Sequence, residues 1–486
     1  MKSQKLKGKA ISGIFWNFVQ LGVNKFFGFA IKLVLAKLLF PEQFGLVGMA
    51  VVFTSFIQVF NDLGIGAALV QRKEENLREA HYHTAFWTGV VWSIGIYLII
   101  AFIVSPLAAI FYKEPMLRSI IPVLSIGVLS SPVNLVHRAQ LTKWMDFKKL
   151  AFISNASTVF SGVLALSLAF LGAGVWALVF NSVATFLVAM PLYFRATKWT
   201  PKLIWEKQAF QDVFGFGVYT TGTNFINTLV SNIDYLLIGK LLSAAALGAY
   251  TLAFVFTDTF RDQFTYLINK VMYPIYGQKQ DDLISLRSYY LKVVKYNSIA
   301  IYPMMVFLIV LGEPFIMYIY GAKWVDSILP LRILALSVMI HLLANSHLTL
   351  IRGLGHAKLG MRVQLIKSVL YVPTITLGIY QFGIVGAAWA YVFNKVLEVF
   401  IAQYFLKRLV NVSFVDLFTS MKAPLTATAV SLLITSLLYD IGLHYILCAI
   451  VLSLSYVAVI WLMMKTEIMM QIHEFRESRK KKVALL

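Results

Sequence analysis

Lys25 sits near the middle of an apolar stretch running from Ile11 to Phe40. An ammonium at that depth of a bilayer is costly unless it faces a water-filled cavity or a partner, so it marks a functional position by default. At ~1.5 Å per helical residue, Lys25 lies roughly 20 Å from either end of its stretch. That is too far for its stem to carry the charge to the interface. A fixed cation inside a membrane cavity suits an anionic cargo. Around it Asn17, Gln20, Asn24 and Lys32 recur at helical spacing on one side. A shift of 203 residues carries Asn17, Gln20 and Asn24 onto Thr220, Thr223 and Asn227, and that second stretch also holds Asn224, Ser231, Asp234 and Tyr235. Such amides and hydroxyls can hydrogen-bond a hydroxylated cargo; they also serve as glue between membrane helices.

Other charges lie within apolar stretches. Lys37, Lys240, Lys292 and Lys295 fall near the ends, where snorkelling explains them. Asp258, Arg261 and Asp262 have the i,i+3 and i,i+4 spacing of a self-neutralising cluster, and Lys395 with Glu398 can act likewise. Lys367 has no partner close in sequence and is expected to face a cavity. Arg261, Lys367 and Lys395 therefore join the candidate cargo-binding residues. Asp234, Glu398 and Asp62 are the candidate carboxylates for coupling to a proton or sodium gradient. His341 and His347 lie six apart, off a common helical face, and suit packing rather than metal binding. The single cysteine, Cys448, excludes an intrachain disulfide or a CxxC site. No phosphate-binding GxxxxGK[ST] loop, HExxH pair or GxSxG elbow occurs. No cofactor, metal or enzymatic activity is expected.

The elements that must carry these residues are membrane helices. The chain is 59% hydrophobic and 13% charged, with mean hydropathy +0.75; soluble domains are roughly 45–50% apolar and about 25% charged. Apolar segments fall near 11–40, 44–70, 81–112, 116–140, 149–171, 174–195, 210–241, 244–273, 288–320, 327–351, 360–381, 384–407, 419–440 and 443–465. This predicts an all-α polytopic membrane protein of about 14 transmembrane helices. The net charge of +21 then has a home other than nucleic acid. The termini and the loops after even-numbered spans, with Arg138 counted at the very end of the fourth span beside Lys143, Lys148 and Lys149, hold 29 Lys and Arg; the opposite loops hold Lys113, Arg118 and Lys323. That asymmetry places both termini in the cytoplasm. The loops on the other face are too short for a folded domain. The stretch with Trp199, Leu203, Ile204, Trp205 and Phe210 among lysines is expected to be an amphipathic helix on the inner leaflet.

The chain is internally duplicated. Leu35-Ala36-Lys37-Leu38-Leu39 followed by Gly45 matches Ile238-Gly239-Lys240-Leu241-Leu242 followed by Gly248, and Trp176-Ala177-Leu178-Val179-Phe180-Asn181 matches Trp389-Ala390-Tyr391-Val392-Phe393-Asn394. Six spans per copy make a parallel repeat, with the substrate site expected between the copies. The expected divisions are residues 1–207, spans 1–6 with a cytoplasmic linker; 208–408, spans 7–12; and 409–486, an appended span pair with a basic tail.

Three runs carry a family resemblance: Leu39-Phe40-Pro41-Glu42-Gln43-Phe44-Gly45-Leu46-Val47-Gly48-Met49, Asp62-Leu63-Gly64-Ile65-Gly66-Ala67-Ala68-Leu69-Val70-Gln71-Arg72, and Met145-Asp146-Phe147-Lys148-Lys149-Leu150. The chain resembles the Wzx-type, colanic-acid-exporter-like branch of the multidrug/oligosaccharidyl-lipid/polysaccharide exporter superfamily. The resemblance implies two six-helix lobes in a V around a central cavity, with a peripheral helix pair. It implies a flippase in the bacterial cytoplasmic membrane that carries a polyprenyl-diphosphate-linked oligosaccharide to the outer leaflet, working beside polysaccharide polymerase and chain-length machinery. A lipid II flippase and a multidrug–cation antiporter share the architecture, although Lys25 argues against cationic drugs. A membrane polymerase or ligase would need an outer-face active site that these short loops do not provide.

Overall fold

The computed structural model describes residues 2–61, 65–214 and 228–484. Among them the protein is all-α, and eleven stretches are long and apolar enough to cross a membrane. One of these, Lys358–Val410, contains two expected spans. Residues 215–227, in the first half of the expected seventh span, lie outside the described set. The eighth lies in a 35-residue helix that is not among the eleven. The chain divides into two compact units, Met1–Thr251 and Leu252–Leu486.

In the first unit, α1 (Lys2–Leu38), α2 (Pro41–Asn61), α3 (Ile65–Gln71), α4 (Glu79–Tyr112), α5 (Leu117–Ser125), α6 (Ser131–Lys143), α7 (Phe147–Phe170) and α8 (Val175–Thr197) are followed by α9 (Lys207–Phe214) and α10 (Ile233–Leu241). A 3₁₀ segment, Ile126–Ser130, joins α5 to α6. It follows Pro122, whose ring and missing N–H disturb the helical ladder, and leads to Pro132 in the first turn of α6, where proline is tolerated. α7 packs against both α1 and α8. Ile65, Leu69, Tyr82, Phe86, Val133, Val136 and Val213 belong to one buried core that ties α3, α4, α6 and α9 together.

Of the stretch expected to be an amphipathic helix, residues 198–206 are not helical, and helix begins only at Lys207, so that it includes Phe210. Lys198 ends α8 in the left-handed region at φ 56°, and Pro201 disfavours helix at Thr200. The chain instead passes the start of α4 as an irregular segment. Trp87 Nε1 donates to the Lys202 carbonyl oxygen at 2.8 Å, Trp199 Nε1 to Glu79 Oε2 at 3.1 Å and Trp205 Nε1 to Thr88 Oγ1 at 3.1 Å. In α9, Asp212 accepts from Arg72 at 2.7 Å and meets His81 Nε2 at 3.1 Å. The His81 hydrogen bond, and then the Arg72 charge, hold its carboxyl below the usual carboxylate range.

The repeat leaves a reciprocal contact inside this unit. α11 (Ala244–Gln278) begins here and continues into the second unit. A Cβ added at Gly45 would lie 1.7 Å from the Ala244 carbonyl oxygen, and one at Gly248 would lie 1.8 Å from that of Pro41. Gly45 and Gly248 are 203 residues apart, as are Pro41 and Ala244. The duplicated helix starts therefore cross backbone to backbone around a local two-fold relation.

The second unit holds the rest of α11, α12 (Leu283–Ile319), α13 (Ile328–Leu342), α14 (His347–Gly353), α15 (Ala357–Val410), α16 (Phe414–Ser420), α17 (Lys422–Asp440) and α18 (Tyr445–Ala484). α12 packs on α13, and α13 on α15. α15 is two antiparallel limbs hinged at Phe382 and Gly383, where Gly383 takes φ 58°. Gly378 and Gly386 let the limbs approach, since a Cβ at Gly386 would lie 1.8 Å from the Gly378 carbonyl oxygen. α17 and α18 pack on each other and against α12. Lys295 does not snorkel: its ammonium pairs with Glu467 of α18 at 2.6 Å.

Candidate functional site

The polar stripe of α1 divides into two kinds of residue. Asn24 Nδ2 donates to Ser154 Oγ of α7 at 2.7 Å, so this residue ties two helices together. Asn17 Nδ2 donates to the Gly13 carbonyl oxygen of its own helix at 2.9 Å. Gln20 is half-buried. Lys25 and Lys32 are exposed, and neither has a hydrogen bond or ion pair among the described residues. They are seven residues apart, two helical turns, and share a face about 10 Å apart along the axis. Thr220, Thr223, Asn224, Asn227 and Asp62 lie outside the described residues. Asp234 is buried in the first turn of α10. It accepts from the Tyr235 N–H at 2.9 Å and from Tyr250 Oη at 3.4 Å.

A cavity of about 730 Å³ opens in the first unit between α2, α3 and α6. On α6, Ser131, Asn134, Arg138 and Thr142 line it. Intervals of three, four and four residues put these on one helical face. The other face is committed to packing: Val133, Val136 and Leu141 are core residues, and His137 Nδ1 meets Thr197 Oγ1 at 2.7 Å. α2 contributes Gln58 and Asn61. The Asn61 Oδ1 atom is buried with no hydrogen-bond partner among the described residues. Among the described residues the lining contains no carboxylate.

Three cations gather at the Lys143 end of this cavity, and two are already engaged. Arg72 is held by Asp212 and by the Asn76 carbonyl oxygen at 2.7 Å. Lys143 donates to the carbonyl oxygens of Leu69, at 3.4 Å, and Arg72, at the C-terminal end of α3. Arg138 is exposed and has neither a hydrogen bond nor an ion pair among the described residues. The charge count along the sequence assigned Arg138 to a loop; the 131, 134, 138, 142 periodicity is the signal that would have placed it on a cavity face.

In the second unit the charges come together. Glu398, 3% exposed, accepts from Lys367 across the α15 hinge and from Lys395 one turn away at 3.1 Å. His341 Nδ1, in the last turn of α13, lies 3.4 Å from the same carboxylate. Lys367 therefore has a partner after all, 31 residues away and invisible to local spacing. One carboxylate serves two ammoniums, so the group is net positive when the imidazole is neutral. The expected Asp258–Arg261 pair forms at 2.8 Å, and Arg261 Nη1 also donates to Tyr391 Oη at 3.2 Å. The Lys395 ammonium lies 5.0 Å from the centre of the Tyr391 ring, which links the two groups. Among the described residues no cluster of three or more His, Cys, Asp and Glu is placed to hold a metal ion.

Residues 34–329 match the family model described as "Polysaccharide biosynthesis protein". The chain belongs to this polysaccharide biosynthesis family. The matched region covers the first-unit cavity and stops short of Lys367, Lys395 and Glu398. The teichuronic acid biosynthesis protein TuaB of Bacillus subtilis is 26% identical over 379 residues, 77% of this chain and 78% of that protein. The lipopolysaccharide biosynthesis protein WzxC of Escherichia coli is 25% identical over 407 residues, 82% of this chain and 81% of that protein. Among solved structures, the lipid II flippase MurJ in its inward closed conformation superimposes with a TM-score of 0.75 at 13% identity, covering 94% of this chain and 100% of MurJ. This member of the polysaccharide biosynthesis family thus has the fold of that flippase.

Proposed function

We propose that this family member is a flippase. It moves a polyprenyl-diphosphate-linked oligosaccharide from the inner to the outer leaflet of the bacterial cytoplasmic membrane by alternating access, for O-antigen, capsule or exopolysaccharide synthesis. In this reading, about 14 helices form two six-helix lobes in a V, residues 1–207 and 208–408, with residues 409–486 adding a helix pair and a basic tail. Both termini are cytoplasmic. A diphosphate cannot cross hydrocarbon without replacement of its hydration, and charge-assisted hydrogen bonds from ammonium groups supply that. The polyprenyl tail remains in lipid. Coupling to a proton or sodium gradient through Asp234, Glu398 or Asp62, and handover to a polysaccharide polymerase, belong to the same reading.

The observation that carries the proposal is Lys25: a mid-span ammonium, exposed and uncommitted among the described residues, with Lys32 two turns along the same face. A cation-selective drug cavity would be poorly served by such a pair. A hydrogen bond to a charged group contributes about 1.5–3 kcal/mol, so Lys25→Ala should slow flipping roughly tenfold to hundredfold. Lys25→Arg should retain part of the activity, because the charge persists while the point-like ammonium becomes a planar fork. Lys25→Glu should be the most impaired. The measurement is outer-leaflet appearance of lipid-linked oligosaccharide, normalised to inserted protein. Equal transport by wild type, Lys25→Ala and Lys25→Glu would overturn the reading.

A further inference from the structure

We propose that the cavity between α2, α3 and α6 is a glycosyl-phosphate subsite, in which Arg138 takes phosphoryl oxygens and Gln58, Asn61 and Asn134 take the hydroxyls of the adjoining sugar. This rests on the flippase reading and adds to it a second, separate binding position that Lys25 does not supply. Four observations carry it. The first is size: about 730 Å³ is within the range of small-molecule pockets. The second is the lining, in which side-chain amides and hydroxyls both donate and accept, as sugar hydroxyls do. The third is charge. Arg138 is the cation at that end left without a partner among the described residues, whereas Arg72 and Lys143 are occupied. Its planar fork suits two phosphoryl oxygens at once. The fourth is Asn61, whose buried Oδ1 lacks a donor among the described residues. A buried acceptor left unmet is costly, and a sugar hydroxyl would satisfy it.

The order of groups fits entry from one side. Arg138 lies five residues from the Lys143 end of α6, about 7.5 Å along the axis. That end is cytoplasmic by the charge asymmetry. Asn134 and Ser131 follow farther in. A cargo entering from the inner leaflet would present phosphate to Arg138 while its first sugar lies along the α6 stripe. With no carboxylate in the lining among the described residues, none of the described side chains there repels the oxyanion.

The test is titration calorimetry of the full chain in nanodiscs with four probes: farnesyl-diphosphate-linked N-acetylglucosamine, farnesyl diphosphate, glucose 1-phosphate and inorganic phosphate. The sugar-bearing lipid should bind best, and glucose 1-phosphate should compete with it. Arg138→Ala should weaken both about tenfold to hundredfold, and Asn134→Ala should weaken both about twofold to tenfold. Arg138→Lys should recover part of the loss. Unaltered affinities in Arg138→Ala would overturn the proposal, as would farnesyl diphosphate or inorganic phosphate matching the sugar-bearing lipid. Direct binding of glucose 1-phosphate without any binding of the lipid-linked probe would overturn the assignment to cargo and make the site one for soluble sugar phosphates. Failure of the flippase reading shows instead as unchanged outer-leaflet transport in the Lys25 series, which leaves the Arg138 dependence of binding to be read independently.

Discussion

Glu398→Gln removes one buried carboxylate and orphans two ammoniums. Lys395 would then face a neutral amide from 3.1 Å, and Lys367 would lose its carboxylate across the α15 hinge. Removing one member of a buried ion pair costs about 3–5 kcal/mol. The two lysine side chains retain 20% and 15% exposure, so water relieves part of the penalty and the lower end, about 3 kcal/mol, is the expected loss. For a unit the size of Leu252–Leu486 this corresponds to a midpoint about 6–12 °C lower. Fluorescence-detected unfolding of the purified protein in nanodiscs reads that shift. Lys367→Met alone should cost less, because Glu398 keeps Lys395 and His341. On the Lys367→Met background, Glu398→Gln should also cost less than in the wild type, since only one ammonium is left unpaired; the two changes should couple by about 0.5–3 kcal/mol. An unshifted midpoint in Glu398→Gln, or strict additivity in the double variant, would refute the reasoning. The same variant bears on coupling. If Glu398 carries the coupling ion, its loss abolishes gradient-driven flipping while cargo binding persists.

Two further expectations follow from backbone geometry and topology. Gly45→Ala and Gly248→Ala should each destabilise the protein by roughly 1–3 kcal/mol through overpacking, because their added Cβ atoms meet carbonyl oxygens at 1.7 and 1.8 Å, whereas Gly28→Ala, with nothing within 4 Å, should not; equal midpoints for all three would remove the reciprocal crossing from consideration. Cysteines placed at Gly172 or Ser243 should react with an impermeant maleimide added to intact cells, against little background from the buried Cys448, while a cysteine at Lys202 should not, and labelling at Lys202 would reverse the topology.

Much of this architecture could be read directly from residue order. The hairpin at Gly383, the Asp258–Arg261 pair and the apolar stretches follow from local spacing, because helices place i,i+3 and i,i+4 residues together. The duplicated Leu35–Gly45 and Ile238–Gly248 segments predicted a repeat, and the structure adds why glycine occupies Gly45 and Gly248: backbones cross there. Three features were hidden for physical reasons. The Lys367–Glu398 pair spans a hinge, so periodicity within either limb cannot show it. The strap after α8 has the composition of an amphipathic helix, but Lys198 and Pro201 break it and the start of α4 supplies its hydrogen bonds. Arg138 was counted as a loop charge because α6 is rich enough in polar residues to read as the edge of a span.

The cations singled out above differ between the two units, and the difference bears on where cargo charge is met. In the second unit Lys295 pairs with Glu467, Arg332 with Glu313, Arg261 with Asp258, and Lys367 and Lys395 with Glu398. Paired in this way, each ammonium or guanidinium has its desolvation offset by a fixed carboxylate, and an arriving phosphate would have to compete with that carboxylate. In the first unit Lys25, Lys32 and Arg138 have no such partner among the described residues. A cation left unpaired in a membrane protein remains costly until an anion arrives, and binding can then recover the cost as affinity. Recognition of the diphosphate therefore falls to the first unit in this reading. The neutralised set in the second unit is better suited to holding its helices in register and, through Glu398, to sensing a proton or sodium ion.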